Sequence, residues 1–265
     1  MRLLQGIYFV YVCLIFMVLI LGTFPLVLIC TLFPKKAKDI VMFALLKVIS
    51  NVWLVCSFMI PKNYHRSKID FSKSYLIMPN HQSFLDAAML YTSLLKPFKT
   101  LGKKEVEKAP VYDVVYKMVV ITVDRSSVTA KAKSFRQMKK EMEEGLSVGI
   151  FPEGTFSDQP QSSLLPFQNG GFALAQLQQA TILPMLFLDT PKRIHPTAIT
   201  RMTPGANRCV FLPPIEVTWF EKKDSEGLKL FTQQYMQDCL DFCRSKGPQA
   251  CWNFAETWIT HHKPN

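Results

Sequence analysis

No residue in the stretch 7–33 carries a charge, although the 265-residue chain holds 31 basic and 20 acidic side chains and a net charge of +11. As a straight helix this run would be about 40 Å long, more than the roughly 30 Å hydrocarbon core of a bilayer. That length excludes the short apolar region of a signal peptide, and no small-x-small cleavage site precedes the charges that follow. Acidic residues are scarce enough to leave a basic chain, which suits nucleic acid or an anionic membrane face. Zinc-finger spacing and the aromatic signature of RNA-binding domains are both missing, so the membrane is preferred and no nucleic-acid partner is expected. The seven cysteines contain no C-x2-C pair and their number is odd. Neither a disulfide framework nor a metal knuckle is expected, and the thiols read as reduced, facing a cytoplasm. H-E-x-x-H, clustered His and Cys, and G-x-S-x-G are absent, so neither a metal site nor a serine nucleophile is implied. Internal repeats and low-complexity tracts are lacking too.

Apolar residues are abundant, at 49% against 19% charged, which is rich for a soluble protein. Pro25 divides the first apolar run and predicts a kink. A second apolar stretch, residues 40–60, carries Lys47, Ser50, Asn51 and Ser57 near one helical face. It reads as an interfacial or partly protein-covered helix. Lys35, Lys36 and Lys38 lie between the two stretches, and the positive-inside rule puts that connection on the cytoplasmic side. Spanning the bilayer and dipping into one leaflet both remain open. A shallow re-entrant pair places the connection and the rest of the chain on the cytoplasmic face together.

The chemistry-bearing stretch is Asn80-His81-Gln82-Ser83-Phe84-Leu85-Asp86. It follows the apolar run Tyr75-Leu76-Ile77-Met78, which reads as a buried strand. A helical pattern opens at Phe84, with Ser83 as its expected N-cap. The bend brings the Asp86 carboxylate within reach of the His81 ring. A carboxylate that holds one imidazole nitrogen as N–H leaves the other free to take a proton from a hydroxyl, the arrangement of a general base. Two more apolar runs end in polar residues: Ile121-Thr122-Val123-Asp124-Arg125, and Ser147-Val148-Gly149-Ile150 followed by Phe151-Pro152-Glu153-Gly154-Thr155. Ligands of an α/β sheet bind beyond the carboxyl ends of its strands. Lys103 and Lys104, at the end of a further strand, suit a phosphate or a solvated loop about equally. Helices are expected over residues 126–145, capped by Ser126 or Ser127, and over 170–180 and 228–243. Strands are expected over 181–188 and 210–217.

These blocks resemble the glycerolipid acyltransferase family, which carries N-H-x4-D, G-x-I-x-x-x-R, F-P-E-G-T and an apolar V-P-[IV]. Here they stand as Asn80 to Asp86, Val119-Val120-Ile121 to Arg125, Phe151 to Thr155, and Leu183-Pro184-Met185. Order and spacing agree over about residues 74–218. Val119 stands where the family carries Gly, and Gln168 where Lys is common. The resemblance implies acyl transfer from an acyl thioester to the free hydroxyl of a lysophospholipid, 1-acyl-glycerol-3-phosphate before other lysolipids, giving phosphatidic acid. It implies acyl-CoA or acyl carrier protein as donor, no cofactor, and membrane phospholipids as surroundings. His81 is then the base and Asp86 its orienter. Arg125 holds the acceptor phosphate, and Lys103 and Lys104 add to the polar pocket. Glu153 and Thr155 contact the glycerol part or shape the loop. Backbone N–H groups near Gly154 or in the His81 loop are expected to meet the oxyanion. A non-catalytic lipid-binding protein is the alternative from another class. The expected fold is α/β, a central, mostly parallel sheet flanked by helices with an N-terminal apolar helical membrane anchor. Residues 1–62 form the membrane-attached pair and 63–265 the catalytic domain, joined through a basic linker over 62–73.

Overall fold

The computed structural model describes residues 2–104, 112–123, 128–156 and 163–264. The chain opens with two long helices, α1 (Arg2–Cys30) and α2 (Lys35–Cys56). There follow β1 (Met59–Tyr64), β2 (Leu76–Pro79), α3 (Asp86–Ser93), β3 (Phe98–Lys103), α4 (Tyr112–Val119), β4 (Val120–Val123), α5 (Val128–Glu143) and β5 (Ser147–Gly149). The last third adds α6 (Asn169–Gln178), β6 (Ile182–Phe187), the short α7 (Thr190–Arg193), β7 (Gly205–Phe211), α8 (Ser225–Lys246) and α9 (Cys251–His262). The strands form one sheet in the order β1-β7-β6-β2-β5-β3-β4. Every pairing is parallel except β6 with β7. The fold is therefore the expected α/β class.

Strand periodicity sorts the core. Leu76 and Met78 join one apolar cluster with α6 and α8, while Ile77 joins the other with α2 and α3. In β6, Ile182 and Leu186 face the first cluster, and Leu183, Met185 and Phe187 the second. Both faces are covered, so these strands read as unbroken apolar runs rather than alternating ones. β2, β5, β3, β4 and β6 all run the same way, and their carboxyl ends share one edge.

The expected linker over 62–73 is corrected at its start, and the expected boundary at residues 62 and 63 falls inside β1. Lys62, Asn63 and Tyr64 pair with Arg208, Cys209 and Val210. β1 is the edge strand, where polar side chains and a proline such as Pro61 are tolerated because one side of the backbone stays unpaired.

The helical pair divides by face. The polar face of α2 turns into the protein: the Lys47 ammonium donates to the Leu94 carbonyl, Ser50 is buried, and Asn51 donates to the Lys47 carbonyl at 2.7 Å. At the start of α2, Asp39 pairs with Lys99 at 2.5 Å, and Lys35 pairs with Glu141 and Glu144. Its apolar Ile40, Val48, Val52 and Val55 stay exposed, as do Leu3, Leu4, Ile7, Leu14, Val18 and Leu21 of α1. Only 11% of the apolar stretch of α1 and 28% of that of α2 is buried in the protein, and both helices are long and apolar enough to cross a membrane.

Candidate active site

The segment after β2 is held in place by its own polar groups. Asn80 is fully buried, and its side chain copies a strand neighbour: Nδ2 donates to the Phe187 carbonyl at 3.1 Å, and Oδ1 accepts from the Phe187 N–H at 2.7 Å. That double bond fixes the end of β2 against the end of β6. Ser83 Oγ donates to the Ile194 carbonyl at 2.7 Å. The same Oγ accepts the Leu85 N–H at 3.3 Å, but α3 begins at Asp86 and not at Phe84, with Leu85 and not Ser83 at its N-cap. The physical reason is the Asp86 carboxylate. Its Oδ2 accepts the N–H groups of Gln82 at 2.6 Å and Ser83 at 2.8 Å, folding residues 82–85 into a turn instead of a helical start.

The same Oδ2 accepts from His81 Nδ1 at 2.8 Å. Asp86 is fully buried and the His81 side chain is 18% exposed. The carboxylate is thus a fixed anchor, already bound to two backbone N–H groups, and it holds Nδ1 as the N–H of the ring, so that Nε2 is the nitrogen left for other partners. This is the pair expected from the sequence spacing.

β5 lies beside β2 in parallel register, Leu76 opposite Val148, so the loop after β5 meets the His81 loop. Its turn closes with the Gly154 N–H donating to the Phe151 carbonyl at 3.0 Å. Gly154 has φ near +72°, a left-handed position that only glycine adopts without strain. Glu153 is buried, and its two oxygens reach different loops. Oε1 accepts the His81 N–H at 2.7 Å and Oε2 the Leu165 N–H at 2.8 Å. Both known partners are backbone, so Glu153 shapes the loop. Burial pushes its carboxyl up to about 7, against the two N–H bonds that pull it down.

Aromatic rings enclose the imidazole. Phe151 stacks on the imidazole at 3.9 Å between centroids, Phe156 meets it edge-on at 4.6 Å, and Phe84 meets Phe156 at 4.7 Å. Sequence reasoning missed Phe151 and Phe156 as contacts of His81, and missed the role of Asn80. An apolar residue at a strand end carries no mark of what it touches; Asn closing a buried strand is a usable signal.

The remaining expected site residues are placed as follows. Lys103 ends β3 and Lys104 follows it, both exposed at the same strand edge. β3 is the neighbour of β5, so the two lysines lie next to the Phe151–Phe156 turn in strand order. Thr155 is exposed on that turn. Arg125, Asp124 and the expected caps Ser126 and Ser127 lie outside the described residues. The oxyanion donors are a correction in part. The N–H groups of His81, Gln82, Ser83 and Gly154 all donate within the protein, which leaves that role to other groups. Among the described residues no cluster of three His, Cys, Asp or Glu side chains suits a metal ion.

A carboxylate-held histidine at the carboxyl edge of a mostly parallel sheet suits a general base acting on a bound hydroxyl. Residues 58–188 match the family model "Acyltransferase", and over this segment the chain is an acyltransferase-like protein resembling the glycerolipid acyltransferases. A 1-acyl-sn-glycerol-3-phosphate acyltransferase of Cocos nucifera is 27% identical over 160 residues, 59% of this chain and 51% of the relative. The human 1-acyl-sn-glycerol-3-phosphate acyltransferase beta is 32% identical over 122 residues, 45% of this chain and 43% of the relative. The chain thus spans about half the length of the curated relatives it matches. The crystal structure of a 1-acyl-sn-glycerophosphate (LPA) acyltransferase from Thermotoga maritima superposes with a TM-score of 0.75 at 18% identity, covering 93% of this chain and 99% of that one. At that identity the likeness shows the fold alone.

Proposed function

We propose that this chain transfers an acyl group from an acyl thioester to the free hydroxyl of a lysophospholipid, with 1-acyl-glycerol-3-phosphate as acceptor and phosphatidic acid as product. The observation that carries the reading is the His81 Nδ1 to Asp86 Oδ2 bond of 2.8 Å at the carboxyl edge of the sheet. His81 Nε2 takes the acceptor's hydroxyl proton as the oxygen attacks the thioester carbonyl. The carbonyl oxygen becomes an oxyanion. When it collapses, the carbon–sulfur bond breaks and the leaving thiolate takes the proton from the imidazolium. Asp86 keeps the ring oriented and stabilises its transient positive charge. The names of the relatives support the acceptor, as do the exposed Lys103 and Lys104 beside the Phe151–Phe156 turn.

Arg125 stands two residues beyond β4 in sequence, and β4 ends in Val123 opposite Lys103 of β3. A guanidinium there grips a phosphate through paired hydrogen bonds that lysine does not reproduce. Arg125→Ala is expected to raise the acceptor KM by roughly 10- to 150-fold and the donor KM little, with Arg125→Lys recovering part. Equal damage toward a lysolipid lacking the phosphomonoester, with a lowered melting temperature, would assign Arg125 to loop support instead.

The acceptor and donor are tested by measuring transfer by the purified chain across several lysolipids with acyl-CoA and acyl carrier protein. The highest kcat/KM is expected on lysophosphatidic acid. A higher value on another lysolipid reassigns the acceptor. The exposed apolar faces of α1 and α2 support a membrane anchor, with the catalytic part, from β1 onward, on the cytoplasmic face. Apolar burial resists salt, since the Debye length falls to about 3 Å at 1 M, so the protein should remain in the membrane pellet at high salt and leave with detergent. Release by salt alone would make the basic surface the anchor.

A further inference from the structure

One apolar feature at the site has no use in the proton transfer. Phe84 lies inside the catalytic segment, and its neighbours Ser83, Leu85 and Asp86 are fully buried, yet the Phe84 side of the turn faces out and the residue is 57% exposed. Its ring rests on Phe156, which in turn rests on the base. Imidazole, Phe156 and Phe84 thus form a continuous row of rings that starts at the reacting nitrogen's own ring and runs outward. Leaving a phenylalanine half in water forgoes the stabilisation that its burial would give, and the turn fixed by Asp86 keeps it there.

We propose that Phe84 and Phe156 form an apolar wall that binds the first methylenes of the transferred acyl chain, and so set the enzyme's preference for a fatty acyl donor over a short one. This rests on the acyl-transfer reading. The argument is one of bond lengths. The acceptor hydroxyl that His81 deprotonates must touch the thioester carbon in the same step, so that carbon lies within a few ångströms of the imidazole. The methylenes attached to it are the first apolar atoms that the flanking rings meet. The acceptor's own acyl chain begins further off, beyond the glycerol carbons and an ester oxygen. The wall is only two rings long, so it covers a few methylenes and not a whole chain.

The test uses the full chain in detergent micelles, comparing wild type, Phe84→Ala, Phe156→Ala and Phe84→Leu. Acetyl-, octanoyl- and hexadecanoyl-CoA are donors to a fixed lysophosphatidic acid, and lysophosphatidic acids of different chain length are acceptors for a fixed donor. Phe84→Ala and Phe156→Ala are expected to lose about 10- to 100-fold in kcat/KM, equally for octanoyl and hexadecanoyl donors and far less for acetyl. Phe84→Leu should restore most of the loss, and the pH–rate profile should not move because the base is intact. Equal loss with all three donors, or a loss that grows between octanoyl and hexadecanoyl, overturns the wall. Loss that follows the acceptor's chain length reassigns it to the acceptor and overturns it as stated. A wild type that transfers no acyl group from any donor overturns the acyl-transfer reading itself and this assignment with it.

Discussion

Two loops at the carboxyl edge each hold one buried carboxylate, and the two are used in opposite ways. After β2, Asp86 works through a single oxygen: Oδ2 takes His81 Nδ1 and two N–H groups of its own turn, while Oδ1 is buried with no partner among the described residues. After β5, Glu153 uses both oxygens, each on the backbone of a different segment. Asp86 therefore orients the ring, and Glu153 holds the stretch of chain from which the ring hangs. Asp86 can act directly on the proton chemistry; Glu153 acts on it only through position. The comparison separates a group that works on the base from one that works on its support.

The largest effect comes from breaking the first loop. His81→Ala and Asp86→Asn are expected to lose on the order of 100- to 10,000-fold in transfer rate, measured as turnover of acyl donor at equal folded fraction. Near-normal turnover in either variant would remove the base or its orienter from the account.

Breaking the second loop should cost less. Glutamine in place of Glu153 accepts one N–H but turns an N–H₂ toward the other donor, so the His81 backbone shifts. A misplacement of about 1 Å costs on the order of 100-fold, and Glu153→Gln should lose about 10- to 100-fold in kcat without a new ionisation in the pH–rate profile. The same variant sharpens the contrast through pH. Burial pushes the Glu153 carboxyl up to about 7 in the folded chain, against 4.5 for an ordinary glutamate, so the folded state holds a proton that the unfolded chain releases. The resulting stabilisation is complete below about pH 4.5 and is lost as pH rises through 7, a change of about 3 kcal/mol. Urea midpoints of wild type should fall relative to Glu153→Gln across that window. A difference that is flat with pH would show that Glu153 is ionised throughout.

The smallest effect belongs to Asn80, which ties the end of β2, and with it the His81 loop, to β6. Asn80→Ala leaves the N–H and carbonyl of Phe187 unpaired in a buried place, for a loss of about 1–3 kcal/mol. It should lower the melting temperature more than it lowers kcat. A large loss of kcat at unchanged melting temperature would move Asn80 into the catalytic machinery.

How much of this was legible follows from how far each contact reaches along the chain. His81 and Asp86 are five residues apart, and one tight turn decides their meeting, so the sequence sufficed. Glu153 meets His81 from 72 residues away, a contact that exists only because β5 lies next to β2, and no local pattern announces its backbone target. Gly154 was readable as a motif glycine, but its left-handed φ was not. β1 was hidden because an edge strand does not need apolar alternation, and Lys62 and Asn63 looked like linker. The start of α3 was misplaced for a specific reason: Asp86 draws the N–H groups of Gln82 and Ser83 to itself, which no propensity rule weighs. The apolar pair α1 and α2 was plain in composition, and the polar face of α2 already marked it as partly protein-covered; the structure adds what that face meets, with Lys47 on the Leu94 carbonyl and Ser50 buried.

The central claim is that the base at His81 passes an acyl group to a lysophospholipid and not to water. The direct measurement is to incubate the purified chain with lysophosphatidic acid and hexadecanoyl-CoA labelled in its acyl chain, and to identify the labelled product by mass spectrometry while counting free CoA. The account predicts labelled phosphatidic acid formed one for one with CoA, and neither product above background with His81→Ala. CoA release accompanied by labelled free fatty acid, with no labelled phosphatidic acid, would contradict it.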